Sequence, residues 1–159
     1  MTLLVRHAMT EDPKALSADR SARDAAGLMA QFDVGSIPVV EGDHVVGIVT
    51  DRDIVVRVIA KRRDPSEVRL DEIFTRAIET VSPDVELSDA RTLMERARVR
   101  RLPVVKDGRL VGVLSLGDVA VALASKREVG NALEQISESE STSTLNDGPA
   151  VGTPDGLSR

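Results

Sequence analysis

The 159 residues contain no cysteine, tryptophan or tyrosine, and their only aromatic rings are Phe32 and Phe74. Without cysteine, disulfides, thiolate metal sites and cysteine nucleophiles are all excluded, and a reducing compartment is expected. With so few rings there is no aromatic platform for single-stranded nucleic acid, so a bound base is expected to lie between aliphatic side chains. A basic excess is also missing. The net charge of -5 and pI near 5.1 argue against a nucleic-acid partner or an anionic membrane surface. No stretch approaches the roughly 20 apolar residues of a spanning helix, and Met1-Thr2-Leu3-Leu4-Val5 is too short for a signal-peptide core. A soluble cytoplasmic protein is expected. His7 and His44 lie far apart without supporting neighbours, and Asp51 and Asp53 diverge at a helix start, so no metal site is expected.

What the chain does have is a duplication. Gly47-Ile48-Val49-Thr50-Asp51-Arg52-Asp53 returns as Gly112-Val113-Leu114-Ser115-Leu116-Gly117-Asp118, an offset of 65 positions without a gap. The same offset of 65 carries Ile37-Pro38-Val39-Val40 onto Leu102-Pro103-Val104-Val105 and Leu28-Met29 onto Leu93-Met94. Two copies at this period form a pseudo-symmetric pair, not a solenoid of many short repeats. Each copy is small enough to be marginal alone, so the two are expected to share a core.

Each copy reads as strand, helix, strand, strand, helix. In the first, Lys14 to Leu16 is a short extended piece, and Ser21 with Asp24 forms a capping box opening a helix whose apolar face is Ala22, Ala25, Leu28, Met29 and Phe32. Ile37 to Val40 and Val45 to Val49 pair as a hairpin, followed by a helix from about Arg52 to Lys61. The second helix face is Leu87, Ala90, Leu93, Met94 and Ala97, and Asp107-Gly108 suits a type I′ hairpin turn. These boundaries give a first unit over 1–62, a linker and short helical lead-in over 63–72, a second unit over 73–136 and a disordered tail over 137–159, rich in Ser, Thr, Gly, Pro and acidic residues.

The twofold occurrence of the Pro-Val-Val strand, the Leu-Met helix and the Gly-h-h-[Ser/Thr]-x-x-Asp signature closely resembles a tandem pair of CBS domains, a Bateman module, over roughly Arg6 to Leu133. The resemblance implies an α/β (α+β) fold of two β-α-β-β-α units packed through their sheets. It also implies two clefts for an adenosine-containing ligand: AMP, ADP or ATP first, then S-adenosylmethionine or an NAD-type dinucleotide. By the same resemblance Asp53 and Asp118 would hold ribose hydroxyls, while Thr50 and Ser115 would meet phosphate or ribose oxygens. Gly47 and Gly112 would allow close backbone approach. The backbone beside Ile37-Pro38 and Leu102-Pro103, with Ala15-Leu16 and Thr80-Val81, would read the adenine edge. Arg100 and Arg101 would contact phosphates, and because Gly35 and Ser36 stand at the equivalent places, the two clefts are expected to be chemically unequal.

The residue chemistry supports two uses of the same motif. A carboxylate accepts from two adjacent hydroxyls, and a hydroxyl with helix N–H groups suits phosphate. Thr50-x-x-Asp53 and Ser115-x-x-Asp118 are equally good helix caps. Neither histidine has a partner that would complete a nucleophilic arrangement, so an enzyme is not expected. The reading is a stand-alone regulatory homodimer that senses an adenosyl ligand and signals to an unidentified partner protein. The rival is a structural or protein-interaction module without a small-molecule ligand.

Overall fold

The computed structural model describes residues 2–76 and 79–143, with side chains through residue 136. It divides into two compact units, Met1–Ala120 and Val121–Arg159. The first holds both copies of the duplication; the described part of the second is the continuation of one helix.

Each copy builds a hairpin. In the first, β3 (Ser36–Glu41) and β4 (His44–Thr50) pair antiparallel; in the second, β6 (Arg101–Lys106) and β7 (Arg109–Ser115) do the same. The turns differ in chemistry. Asp107 and Gly108 both have positive φ, 51° and 78°, as the expected type I′ turn requires, whereas in the first hairpin only Gly42 does, at 63°. The β-branched runs supply the buried faces: Ile37, Val39 and Val49 in one copy, Leu102, Val104 and Leu114 in the other.

Each copy also carries an amphipathic helix, α1 (Ala22–Phe32), which packs on β3, or α3 (Leu87–Ala97). Helix α1 starts as expected, with the Ser21 hydroxyl accepting from the Asp24 N–H and the Asp24 carboxylate accepting from the Ser21 N–H. It buries Ala22, Ala25 and Met29, and α3 buries Leu87, Ala90 and Met94. The helices end on left-handed residues, Asp33 and Arg98. After β4 the chain makes one α-turn, α2 (Asp51–Ile54), and then a π-helical stretch over Val55–Ile59. After β7 comes α4 (Leu116–Ser143).

The short segments ahead of each copy are exchanged. Strand β1 (Thr10–Glu11) pairs with β7 of the second copy, and β5 (Thr75–Arg76) pairs with β4 of the first. A third short strand, β2 (Leu16–Ser17), runs parallel to β3, giving sheets of order β1-β7-β6 and β2-β3-β4-β5. The exchange extends to the 3₁₀ turns before them. Val5 donates its N–H to the Val85 carbonyl, and Leu70 donates to the Arg20 carbonyl at the position equivalent by the 65-residue offset. The lead-in of each copy therefore completes the sheet of the other.

The helix also departs from the expected tail. It continues through residues 137–143, which carry neither glycine nor proline, and a helix already nucleated extends at little cost per residue. The rest of that expected tail, 144–159, lies outside the described residues. Among the described residues no helix is long and apolar enough to cross a membrane.

Candidate functional site

The two signature motifs both form capping boxes. Thr50 Oγ1 accepts from the Asp53 N–H at 3.1 Å, and Asp53 Oδ2 accepts from the Thr50 N–H at 2.9 Å. Ser115 Oγ accepts from the Asp118 N–H at 3.1 Å and donates to Asp118 Oδ2 at 2.6 Å, while the same oxygen takes the Ser115 N–H at 3.2 Å. Each carboxylate thus spends Oδ2 on the cap. Oδ1 of Asp118 has no hydrogen-bond or ion-pair partner among the described residues.

Asp118 and Ser115 open onto a cavity of about 370 Å³, within the range of small-molecule sites. Strand β3 contributes Ser36, Ile37 and Pro38; the loop after β1 contributes Asp12, Pro13 and Lys14; the end of α1 contributes Phe32, with Val34 just beyond. Thr10, Arg101 and Val113 complete the lining. Both copies therefore contribute to it. The register places Arg101 directly across from Ser115, so a cation stands beside the capping motif. Lys14 Nζ lies 4.9 Å from the centroid of the Phe32 ring, close enough for cation–π attraction.

The cavity can accordingly offer an acceptor at Asp118, cations at Lys14 and Arg101, and an apolar surface at Phe32, Val34, Ile37, Pro38 and Val113. Those are the chemical needs of a sugar diol, a phosphate and a base.

Of the residues expected from the sequence, Ile37, Pro38, Arg101, Ser115 and Asp118 line this cavity. Arg100, Ala15, Leu16 and Gly112 do not. Thr50, Asp53, Leu102 and Pro103 occupy places related to it by the 65-residue offset; the corresponding lead-in includes residues 77–78, outside the described part. Four of the expected residues meet other parts of the fold. Gly47 approaches the exchanged lead-in: a Cβ there would run into the Phe74 ring and lie 2.5 Å from the Thr75 carbonyl oxygen. Gly112 is its equivalent, with Met9 Sδ at 2.7 Å and the Thr10 carbonyl oxygen at 2.9 Å from such a Cβ. Val81 donates its N–H to the Pro103 carbonyl and accepts from the Val105 N–H, which joins it to the second sheet. Leu16 likewise sits in the parallel pairing with Val39.

Sequence reasoning missed Asp12, Lys14, Val34, Ser36 and above all Phe32. Phe32, placed by the sequence on the core face of α1, is 41% exposed and lines the cavity. The available signal was position: Phe32 is the last residue of α1, where the buried stripe runs out, and its equivalent in α3 is Ala97.

Comparison with known proteins agrees with this architecture. The CBS domain profile matches residues 5–60 and again 70–125. The CBS domain-containing protein YhcV of Bacillus subtilis is 39% identical over 133 residues, covering 84% of this chain and 94% of the relative. A putative signal-transduction protein with CBS domains from Burkholderia ambifaria superposes with a TM-score of 0.70 at 30% identity, over 79% of this chain and 95% of that one. The structure of CBSX2 in complex with AMP superposes with a TM-score of 0.68 at 27% identity, over 79% of this chain and 98% of that one. With two profile matches at the observed offset and a relative 39% identical over 94% of its length, this chain belongs to the CBS-domain family, as a tandem pair.

Proposed function

We propose that this chain is a regulatory, non-catalytic cytoplasmic module that binds an adenine nucleotide in the cavity beside Ser115 and Asp118 and passes its occupancy to a partner protein. The observation that carries the reading is the uncommitted Oδ1 of Asp118 in a cavity shared by both copies and furnished with Lys14 and Arg101. In this reading the carboxylate accepts from the ribose hydroxyls, the two cations face phosphate, and the base lies along Phe32, Val34 and Ile37. The AMP complex of CBSX2 supports the choice of ligand class. Because Thr10, Asp12 and Lys14 come from the lead-in that completes the other sheet, ligand bound here bridges the two copies, which gives occupancy a route to the rest of the module.

Thermal unfolding tests the reading. A ligand that binds only the native state adds RT ln(1 + [L]/Kd), about 2.7 kcal/mol at 100 Kd, so AMP, ADP or ATP at millimolar concentration should raise the melting temperature by several degrees. Lys14→Ala with Arg101→Ala should weaken ATP more than adenosine. No shift with any of these nucleotides, S-adenosylmethionine or NADH would leave the interaction-module reading in place. That alternative is favoured by one observation: the exposed valine and isoleucine face of Val55, Val56 and Ile59, which suits a protein contact with or without a ligand.

A further inference from the structure

The two capping carboxylates are not in the same state. Asp53 Oδ1 lies 3.8 Å from Arg57 Nη1, and that same nitrogen donates to the Ile73 carbonyl at 2.5 Å. Ile73 is buried, and the half-exposed Arg57 side chain reaches its carbonyl from the surface. The Arg57 position is therefore set by the exchanged lead-in as well as by helical spacing. In the second copy the equivalent residue is Ala122, which carries no charge.

The surroundings differ in the same sense. The register puts the neutral Ser36 across from Thr50, where Arg101 stands across from Ser115. At the 65-residue offset Lys14 is replaced by Glu79 and Phe32 by Ala97. A phosphate would meet a carboxylate there in place of an ammonium, and a base would lose its ring.

We propose that Arg57 takes at Asp53 the place that sugar hydroxyls take at Asp118, so that the chain binds a single nucleotide, at Asp118, and closes its first copy with its own guanidinium. This rests on the nucleotide reading above and specifies its stoichiometry. For a nucleotide to bind at Asp53, its diol would have to compete for that carboxylate with a guanidinium that pairs with Oδ1 at 3.8 Å and is held in place by its hydrogen bond to the Ile73 carbonyl.

Equilibrium dialysis and calorimetry with AMP on the full chain decide the matter. The wild type should bind one AMP per chain, Asp118→Asn should weaken that binding at least tenfold, and Arg57→Ala should reveal a second equivalent. Two equivalents in the wild type would overturn the proposal while leaving the nucleotide reading intact, whereas one retained at undiminished affinity in Asp118→Asn would overturn it together with the placement of the nucleotide at Asp118. A single equivalent in folded Arg57→Ala would also overturn it, since Arg57 would then not be what closes the first copy. Should Arg57→Ala fail to fold, the wild-type and Asp118→Asn stoichiometries still decide between one competent site and two. Failure of AMP, ADP and ATP alike to bind the wild type would instead overturn the nucleotide reading, and this inference with it.

Discussion

Gly47 and Gly112 show how one residue type at equivalent positions can tolerate change unequally. Both sit where an exchanged lead-in crosses the hairpin, at the registers Gly47↔Arg76 and Glu11↔Gly112. The neighbour at Gly47 is the rigid Phe74 ring plus a backbone carbonyl; at Gly112 the nearest atoms belong to the flexible Met9 side chain. Overpacking typically costs about 1–3 kcal/mol, and less where a flexible side chain can give way. Gly47→Ala should therefore destabilise by about 3 kcal/mol and Gly112→Ala by about 1 kcal/mol, measured by urea unfolding. Equal losses would mean that the carbonyl contacts, common to both sites, set the cost.

At the level of single elements, acid should loosen two helix starts. The Asp24 carboxyl is held below its ordinary value, first by the Arg20 guanidinium and then by the Ser21 N–H at the α1 cap. The Glu72 carboxyl is lowered first by the Arg69 N–H and then by Arg63, at the 3₁₀ turn of the second lead-in. A carboxylate whose pKa is depressed on folding contributes stability that is present above its unfolded value and lost as the pH falls through the folded one. The midpoint of unfolding should accordingly decline below about pH 4, and Asp24→Asn with Glu72→Gln should flatten that decline; an unchanged acid limb would show that other carboxylates govern it. The α1 cap was legible in the sequence because a capping box is a local pattern, as were the Asp107-Gly108 turn and both hairpins. The strands β1 and β5 were not, being two residues long with no periodicity to read, and their partners lie in the other copy. The π-helical stretch after α2 escaped for a similar reason: Ile54-Val55-Val56-Arg57-Val58-Ile59 has the composition of either helix type. In the site, the carboxylates and the strand Ile37-Pro38 were visible as a repeated motif, whereas Lys14 and Phe32 break the repeat and had no second copy to mark them.

On the scale of the whole molecule, the exchange ties each half to residues that the chain order assigns to the other. Leu70 is fully buried in the core formed by Ala22, Ala25, Met29, Ile37, Val39 and Val49, all of the first copy, although it precedes only the second. Its equivalent, Val5, is fully buried as well, and the neighbouring Leu3 carbonyl accepts from the Leu87 N–H of α3. Neither half can then keep its core intact while the other unfolds, and a single cooperative transition is expected. Leu70→Ala should cost about 2–5 kcal/mol through the cavity it leaves, and under native conditions hydrogen exchange should quicken in α1, β3 and β4 at least as much as in α3, β6 and β7. Faster exchange confined to α3, β6 and β7 would mean that Leu70 supports the copy it precedes, and the exchanged arrangement of the two lead-ins would have to be abandoned.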